Sequence, residues 1–365
     1  MIARDDDPAA GTARWQCIID DPAQACTNPL LCSPESDDPA ALLMGIEAGS
    51  RRGKNDGKRE RGTHPCAAAP LAGTSAPVNT PTDIFDRNLR RLRRDRAASG
   101  FADHAFLREA MIEGLLDRLD LVTRPFTDAL DLGCADGTLT QALRARSMTV
   151  TPVDAGAHFA SAASGIQCDE DRLPFQPASF DLIMSAGVLD TVNDLPGALV
   201  QCRRALRPDG LFLAAFLGVG SLPTLRDVIR AADSAAEGAM PQRFHPLIDV
   251  PAAGDLLVRA GFTLPVTDSE TIDVRYGSPL RLMADLRGMA AGNQLAGQTP
   301  PALGRGRLGE IARLFAERAE PDGRTREHFT MLFMTGWAPG PNQPQPAKRG
   351  SATTSLAAAL KPRSE

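Results

Sequence analysis

The chain has 365 residues, of which 43% are hydrophobic and 23% charged, with a formal net charge of −5. This is ordinary globular usage, and the length allows about two domains. The mild acidity argues against nucleic acid or an anionic membrane surface as a partner, and no apolar run reaches the ~18 residues of a transmembrane segment. The first residues match no signal or transit peptide, so we predict a cytoplasmic protein.

The seven cysteines and five histidines are scattered along the chain. The sequence has neither a Cys-x-x-Cys pair nor a histidine pair at helical spacing, so a zinc site or a disulfide framework is not indicated. We predict buried free thiols, with Cys134 as a small packing residue, and no bound metal.

The two ends of the chain differ in composition from its middle. Residues 1–80 alternate acidic clusters, a basic stretch and a Pro/Ala/Thr/Ser-rich run, a pattern typical of disorder; a start codon assigned too far upstream would look the same. The Pro-rich and small residues of 341–365 predict a flexible tail. We therefore place one folded domain at 84–340.

Within that domain, strand-like and helix-like segments alternate, which is typical of a parallel sheet built from βα units. Five short apolar segments are predicted as strands, at 129–132, 148–153, 166–168, 180–184 and 211–216. Two later extended segments flank a helical insertion at 279–318, and they lie at 262–276 and 329–337. We predict that these two segments form an antiparallel edge, with the insertion over the carboxyl rim of the sheet.

The first strand contains Asp131 and leads into a glycine-containing loop. Gly133 and Gly137 allow a tight turn and a close approach of backbone to ligand. The spacing is not Gly-x-Gly-x-x-Gly, because Ala135 takes the middle place and Thr138 the third. A pyrophosphate cradle, and with it a nicotinamide or flavin dinucleotide, is therefore disfavoured.

Two further acids end the next strands. Asp154 follows the second strand, where a carboxylate accepts hydrogen bonds from ribose hydroxyls. Asp169 follows the third strand and is placed to reach an adenine edge. Ligands of open α/β sheets bind at this carboxyl rim, so the sequence predicts a nucleotide site there.

The order of these motifs resembles that of the class I S-adenosylmethionine-dependent methyltransferases. Their pattern is an acidic residue, a Gly-x-Gly-x-Gly loop and a second acidic residue that ends strand two. This chain matches the pattern except at Ala135, whose methyl group narrows the loop. Their Asp-x-x-x-Leu-Pro-Phe and Ser-Phe-Asp blocks are matched at 169–175 and 179–181, and their Leu-Arg-Pro-Asp-Gly turn at 206–210.

This resemblance implies an α/β fold, a Rossmann-like seven-stranded sheet with helices on both faces, and S-adenosylmethionine as cofactor. It implies that the methionine carboxylate and amino group lie near the loop, the ribose on the acid of strand two and the adenine beside the acid of strand three. The implied cofactor-binding residues are Asp131, Gly133, Ala135, Gly137, Asp154 and Asp169.

A closer resemblance covers nearly the whole folded part. It rests on the segments Ile-Phe-Asp-Arg at 84–87, Arg-Arg-Asp-Arg-Ala-Ala at 93–98, Val-Asn-Asp-Leu-Pro-Gly at 192–197, Gly-Phe-Thr-Leu-Pro at 261–265 and Arg-Gly-Ser-Ala at 349–352. They resemble the family of mitochondrial complex I assembly factor 5 and its bacterial relatives, akin to the malonyl-carrier-protein methyltransferase of biotin synthesis. The resemblance implies a methyltransferase-family enzyme acting on a protein or a carrier-protein-bound substrate.

Two alternatives stay open. The mitochondrial relatives imply S-adenosylmethionine-dependent hydroxylation of an arginine in a complex I subunit. Relatives also have Leu-His-Trp where this chain has Leu189-Asp190-Thr191, which makes a non-catalytic, cofactor-binding assembly factor the other alternative.

Asp190 and Tyr276 are the candidate catalytic residues. Asp190 stands where the relatives have the His of Leu-His-Trp, and Tyr276 ends a strand near the presumed substrate rim. The alternatives are that Asp190 caps the following helix and that Tyr276 packs in a strand with a wet hydroxyl. The six arginines within 87–96 are interpreted as a basic amphipathic helix over the cofactor. We expect its leucines to face the domain and its arginines to face solvent, substrate or ligand. The alternative is that these arginines form a nucleic-acid-binding surface.

Overall fold

The computed structural model describes residues 2–5, 14–17, 83–234, 241–297, 300–341, 343 and 355. All of these belong to one unit of the chain. Its strands are β1 (Ile2–Asp5), β2 (Arg14–Cys17), β3 (Asp128–Leu132), β4 (Thr149–Asp154), β5 (Ile166–Gln167), β6 (Phe180–Ala186), β7 (Leu206–Leu217), β8 (Thr263–Tyr276) and β9 (Thr325–Trp337).

Seven of these strands form the central sheet in the order β8-β9-β7-β6-β3-β4-β5. Strands β3 to β7 pair in parallel, whereas β9 runs antiparallel to both of its neighbours, β7 and β8. The predicted seven-stranded α/β sheet is confirmed. The predicted antiparallel edge is also confirmed, since β8 and β9 pair with each other in antiparallel fashion and β9 joins them to β7.

The N-terminal extension contributes strands at this side of the sheet. Strand β2 pairs in parallel with β8, and β1 pairs antiparallel with β2. The sequence predicted no folded element within residues 1–80, and this prediction is wrong for β1 and β2, which are paired in the sheet. An outer strand presents unpaired backbone N–H and C=O groups that an extended segment can join without an apolar pattern of its own. The predicted disorder of the rest of 1–80, and nearly all of the predicted tail 341–365, lies outside the described residues.

The helices cover both faces of the sheet. They are α1 (Arg87–Ala97), α2 (Phe106–Asp120), α3 (Thr138–Ala145), α4 (Ala157–Ala162), α5 (Leu195–Ala205), α6 (Pro223–Ser234), α7 (Val250–Ala260), α8 (Pro279–Gly288) and α9 (Arg305–Ala316), with 3₁₀ turns at Ala98–His104 and Leu189–Thr191. Helices α8 and α9 form the predicted insertion before the last strand. The Asp194 carboxylate caps α5 by accepting from the Gly197 backbone N–H at 2.8 Å.

Alternate residues of the strands enter opposite layers of the core. In β6, Leu182 and Met184 pack with α2, α3 and α6, whereas Ile183 packs with α5 and α7. This is the period of two that a strand buried on both faces requires. The layering brings the carboxyl ends of β3, β4 and β6 together beneath α1.

Neither a membrane helix nor a metal centre is found in the described part of the chain. No helix there is long and apolar enough to span a bilayer, and no group of three or more His, Cys, Asp or Glu residues lies close enough to hold a metal ion. Cys134 and Cys202 are buried free thiols, and burial raises the pKa of each. These two thiols are held protonated, as packing residues are.

Candidate functional site

Asp131 lies at the end of β3 and is fully buried. The Thr140 hydroxyl donates to its Oδ2 at 2.5 Å, whereas its Oδ1 has no hydrogen-bond partner. Burial raises the pKa of Asp131. A buried carboxylate oxygen without a donor is disfavoured, so this position fits a ligand that brings an N–H group to it.

The loop after β3 takes a left-handed backbone at the three positions of the family pattern. The φ angles are 82° at Gly133, 44° at Ala135 and 80° at Gly137. A Cβ atom at Gly133 would lie 2.5 Å from Cγ2 of Val188, so no other residue fits there. At Ala135 the positive φ costs roughly 1–2 kcal/mol relative to glycine, so the departure from the family pattern strains the loop as well as narrowing it.

Asp154, the predicted ribose acceptor, is saturated by hydrogen bonds from the protein. Its carboxylate accepts from Arg94 Nε at 2.7 Å and Nη2 at 2.5 Å, and from the backbone N–H groups of Ala135 at 3.0 Å and Gly156 at 2.7 Å. Burial raises the pKa of Asp154, but the Arg94 charge and hydrogen bonds outweigh this and hold the pKa below its usual range. A carboxylate has about four acceptor sites, so ribose hydroxyls can reach Asp154 only if Arg94 leaves.

Three more acids at the end of β5 pair with α1 in the same way. Arg91 donates to Asp169 at 3.1 and 2.9 Å. Arg90 donates to Glu170 at 2.6 and 2.9 Å, and Arg87 to Asp171 at 2.7 Å twice. With Arg94 these residues form one face of the helix, and we call this face the arginine ladder: Arg87, Arg90, Arg91 and Arg94.

The arginine ladder reverses the predicted orientation of α1. Arg87, Arg90 and Arg94 are buried against the domain, whereas Leu92 is 45% exposed. The expectation that the leucines face the domain was wrong for Leu92, whereas Leu89 is half-buried. The arginines take the inner face because the strand ends beneath this helix carry carboxylates, and a buried charge is stable only when paired. Arginines engaged with protein carboxylates are poorly placed to bind phosphates, so this geometry does not favour the nucleic-acid alternative.

A small cavity lies beside the loop, and a larger one adjoins it. The smaller, of about 50 Å³, is lined by Arg90, Arg94, Arg108 and Ala135 among others. The larger, of about 480 Å³, lies among α6, α8 and residues 243–247, 291–295 and 300–303, and we call it the chamber. Asp190, Leu217 and Ala291 line both, so the two spaces adjoin at these residues.

The structure separates the two candidate catalytic residues. Asp190 faces both cavities, and its Oδ2 lies 3.6 Å from Nε2 of His245. Because Asp194 caps α5, the alternative of Asp190 as that cap is wrong. Tyr276 is instead 2% exposed within the apolar core and lines neither cavity, a placement that favours its packing alternative.

Sequence reasoning missed two basic residues of this site and His245. Arg94 was expected to face solvent, substrate or ligand rather than Asp154, and Arg108 was not singled out because α2 was not predicted. The arginine spacing at 87, 90, 91 and 94 repeats every three to four residues, which is the period of one helix face. Set beside the acidic run Asp169-Glu170-Asp171, that period was the signal for a buried ladder.

The loop of β3 fits one end of S-adenosylmethionine. Asp131 offers an unpaired acceptor for the methionine ammonium, and the loop backbone allows close approach. The nucleoside end is covered by α1, since Asp154 and Asp169 are both held by arginines. The described residues therefore fit the amino-acid end of the cofactor as they stand, whereas the two carboxylates expected for the nucleoside end are engaged by the arginine ladder.

A sheet of this order, with a glycine loop after its first strand and an acid after its second, defines the class I methyltransferase fold. Residues 130–214 match the methyltransferase domain family. The chain is 34% identical to the protein named arginine-hydroxylase NDUFAF5, mitochondrial, of Danio rerio, over 75% of this chain and 89% of that one. It is 32% identical to the malonyl-[acyl-carrier protein] O-methyltransferase of Methylovorus sp. (strain MP688), over 70% of this chain and 91% of that one.

Among solved structures, the YcgJ protein of Bacillus subtilis matches with a TM-score of 0.45 at 16% identity, over 62% of this chain and 98% of that one. On the sequence relatives, the chain belongs to the S-adenosylmethionine-dependent methyltransferase family that includes these NDUFAF5 and malonyl-carrier proteins. It is an enzyme of that family, and its cofactor is S-adenosylmethionine.

Proposed function

We propose that the enzyme methylates a basic side chain of a protein substrate that enters the chamber and meets Asp190. The observation that carries this proposal is that Asp190 is the single carboxylate among the described residues that line the chamber. It lies where the chamber adjoins the cavity beside the cofactor loop. A basic side chain that enters would find its counter-charge next to the cofactor.

The walls of the chamber suit the stem of such a side chain. Leu222, Leu225, Ile229, Met283 and Leu286 line it, and long basic side chains bury their methylene stems on apolar surface while the charged head is paired. The chamber of about 480 Å³ has the size of a small-molecule pocket. The relatives named arginine-hydroxylases are consistent with a guanidinium substrate.

Bound S-adenosylmethionine supplies a methyl group already activated on its sulfonium. The protein has to position the nucleophile in line and exclude water. Asp190 would hold the substrate nitrogen and accept the proton that it loses. His245, 3.6 Å from Asp190, would orient that carboxylate.

A second candidate is methylation of a carboxylate on a carrier protein, as the malonyl-[acyl-carrier protein] relatives are named. It is favoured by the arginines that line the chamber, which are Arg93, Arg226, Arg243 and Arg287. Asp233 pairs with Arg243 at 2.6 Å. Burial, together with a neighbouring arginine in each case, lowers the pKa of Arg93 and Arg226, as expected of cations that lack a close counter-ion.

The test is the intact mass of candidate substrates after incubation with enzyme and S-adenosylmethionine. A protein arginine, for example in a complex I subunit, would gain ~14 Da by methylation and ~16 Da by hydroxylation. A malonyl-loaded carrier protein would gain ~14 Da as a base-labile ester. No gain on any of them, with cofactor bound, would support the non-catalytic assembly factor and overturn the proposal.

A further inference from the structure

Three arginines line the small cavity, and one differs from the other two. Arg90 is held by both oxygens of Glu170, and Arg94 by both oxygens of Asp154. Arg108 is as buried as they are, yet the structure gives it no hydrogen bond to a carboxylate. Its charge faces the cavity with its Nε unpartnered.

The contacts of Arg108 hold its guanidinium at the cofactor loop. Nη2 donates to the Cys134 carbonyl at 2.9 Å, and Nη1 donates to the Ala186 carbonyl. The first carbonyl lies in the loop after β3 and the second ends β6. The carboxylate of Asp136 lies 3.5 Å from Nε, at ion-pair distance but outside hydrogen-bond geometry, and Asp136 is partly exposed. The guanidinium is therefore fixed in place by two carbonyls, and the negative charges near it, Asp131 and Asp136, form no hydrogen bond with it.

S-adenosylmethionine carries one anionic group, the carboxylate of its methionine. Arginine binds carboxylates through paired N–H groups, and such charge-assisted bonds are the strong ones. The neighbouring Asp131 presents an unpaired acceptor that suits the ammonium of the same amino-acid end. We propose that Arg108 binds the methionine carboxylate and makes the enzyme selective for cofactors that carry it. This inference rests on the proposed function, since it assigns one end of the same cofactor.

The test compares two ligands that differ only in this group, S-adenosylmethionine and decarboxylated S-adenosylmethionine, by calorimetry on the full chain without substrate. The wild type should bind S-adenosylmethionine about tenfold to hundredfold more tightly, the range expected for a hydrogen bond between charged groups. Arg108→Met should weaken S-adenosylmethionine by that factor and change the affinity for the decarboxylated ligand less than about twofold. Arg108→Lys should keep part of the selectivity.

Arg144→Met is the matched control, because Arg144 is an exposed arginine on the neighbouring α3, and it should keep the full selectivity. If Arg108→Met weakens both ligands equally, Arg108 only shapes the loop and the inference is wrong. Unchanged selectivity in that variant would also overturn it. The proposed function alone fails if Arg108→Met abolishes the ligand selectivity but no substrate gains mass. A wild type that does not bind S-adenosylmethionine would overturn both proposals.

Discussion

Arg94 donates two hydrogen bonds to Asp154, at 2.7 and 2.5 Å, and both side chains are buried. The pair joins α1 to the end of β4 across 60 positions of the chain. Its geometry is bidentate, the arrangement in which arginine and carboxylate bind most strongly. Neither partner can be removed without leaving a buried charge unpaired.

Asp154→Asn should therefore reduce the free energy of unfolding by about 3–5 kcal/mol, the range found when one partner of a buried ion pair is lost. Urea unfolding measures this. The control is Asp120→Asn, whose carboxylate is 61% exposed in its pair with Arg146 and should change stability by less than about 1 kcal/mol. Equal effects of the two substitutions would show that the buried Arg94–Asp154 pair stabilises the protein no more than an exposed ion pair does.

Acid should destabilise the protein through the same carboxylates. In Asp171, as in Asp154, burial raises the pKa, but the paired arginine outweighs it and lowers the pKa below the usual range. The unfolded chain takes up these protons first, near pH 4, so their contribution is present above about pH 4 and is lost as the pH falls through the lowered folded values. Urea unfolding at a series of acid pH values should show this decline, and Asp154→Asn should make it shallower. An unchanged slope in that variant would contradict the assignment.

Asp131→Asn should separate stability from cofactor binding. The pKa of Asp131 is raised by burial, so its contribution to stability is present below the unfolded pKa and lost as the pH rises through the folded value. At pH 7 the neutral amide should thus leave the melting temperature equal or higher. Affinity for S-adenosylmethionine should fall about tenfold or more, because the ammonium loses a charged acceptor.

Calorimetry and thermal unfolding measure the two effects of Asp131→Asn. Asp128→Asn is the control on the same strand, since Asp128 pairs with Arg207 on a more exposed surface, and it should leave the affinity unchanged. A large loss of stability in Asp131→Asn would mean that its charge is compensated in a way the unpaired Oδ1 does not show.

Asp190→Asn should lower turnover at least tenfold while leaving cofactor affinity within about threefold, because the lost charge faces the substrate chamber. Asp194→Asn is the matched comparison four residues on, where the carboxylate caps α5. It should lower stability slightly, by less than about 1 kcal/mol, and keep turnover. The reverse result, with activity dependent on Asp194 alone, would remove Asp190 from the proposed mechanism.

Truncation should distinguish the extension from α1. Deleting residues 1–80 removes strands β1 and β2 at the sheet edge and should change the melting temperature little. Deleting residues 1–98 also removes the arginine ladder and leaves Asp154, Asp169, Glu170 and Asp171 without their cations. That protein should be strongly destabilised, and equal melting temperatures for the two truncations would contradict the ladder's role.

The strands and the cofactor loop could be predicted from the sequence because their signals are local. A buried strand such as 180–184 shows itself as an apolar run, and a positive φ at Gly133 and Gly137 needs glycine whatever surrounds it. The order of acid, loop and acid along the chain follows the order of the βα units. These features depend on neighbours within a few residues, so the one-dimensional pattern contains them.

The direction of α1 was decided by the tertiary structure. An arginine-rich helix with two leucines predicts an outward basic face when it is considered alone. Its counter-ions lie 60 to 84 positions away, and only the sheet brings their carboxylates beneath the helix. The same holds for Arg108, whose carbonyl partners are 26 and 78 positions distant. A charged side chain can be buried only where it finds polar partners. For these arginines the partners are carboxylates and carbonyls that the chain topology, and not the local sequence pattern, places beside them.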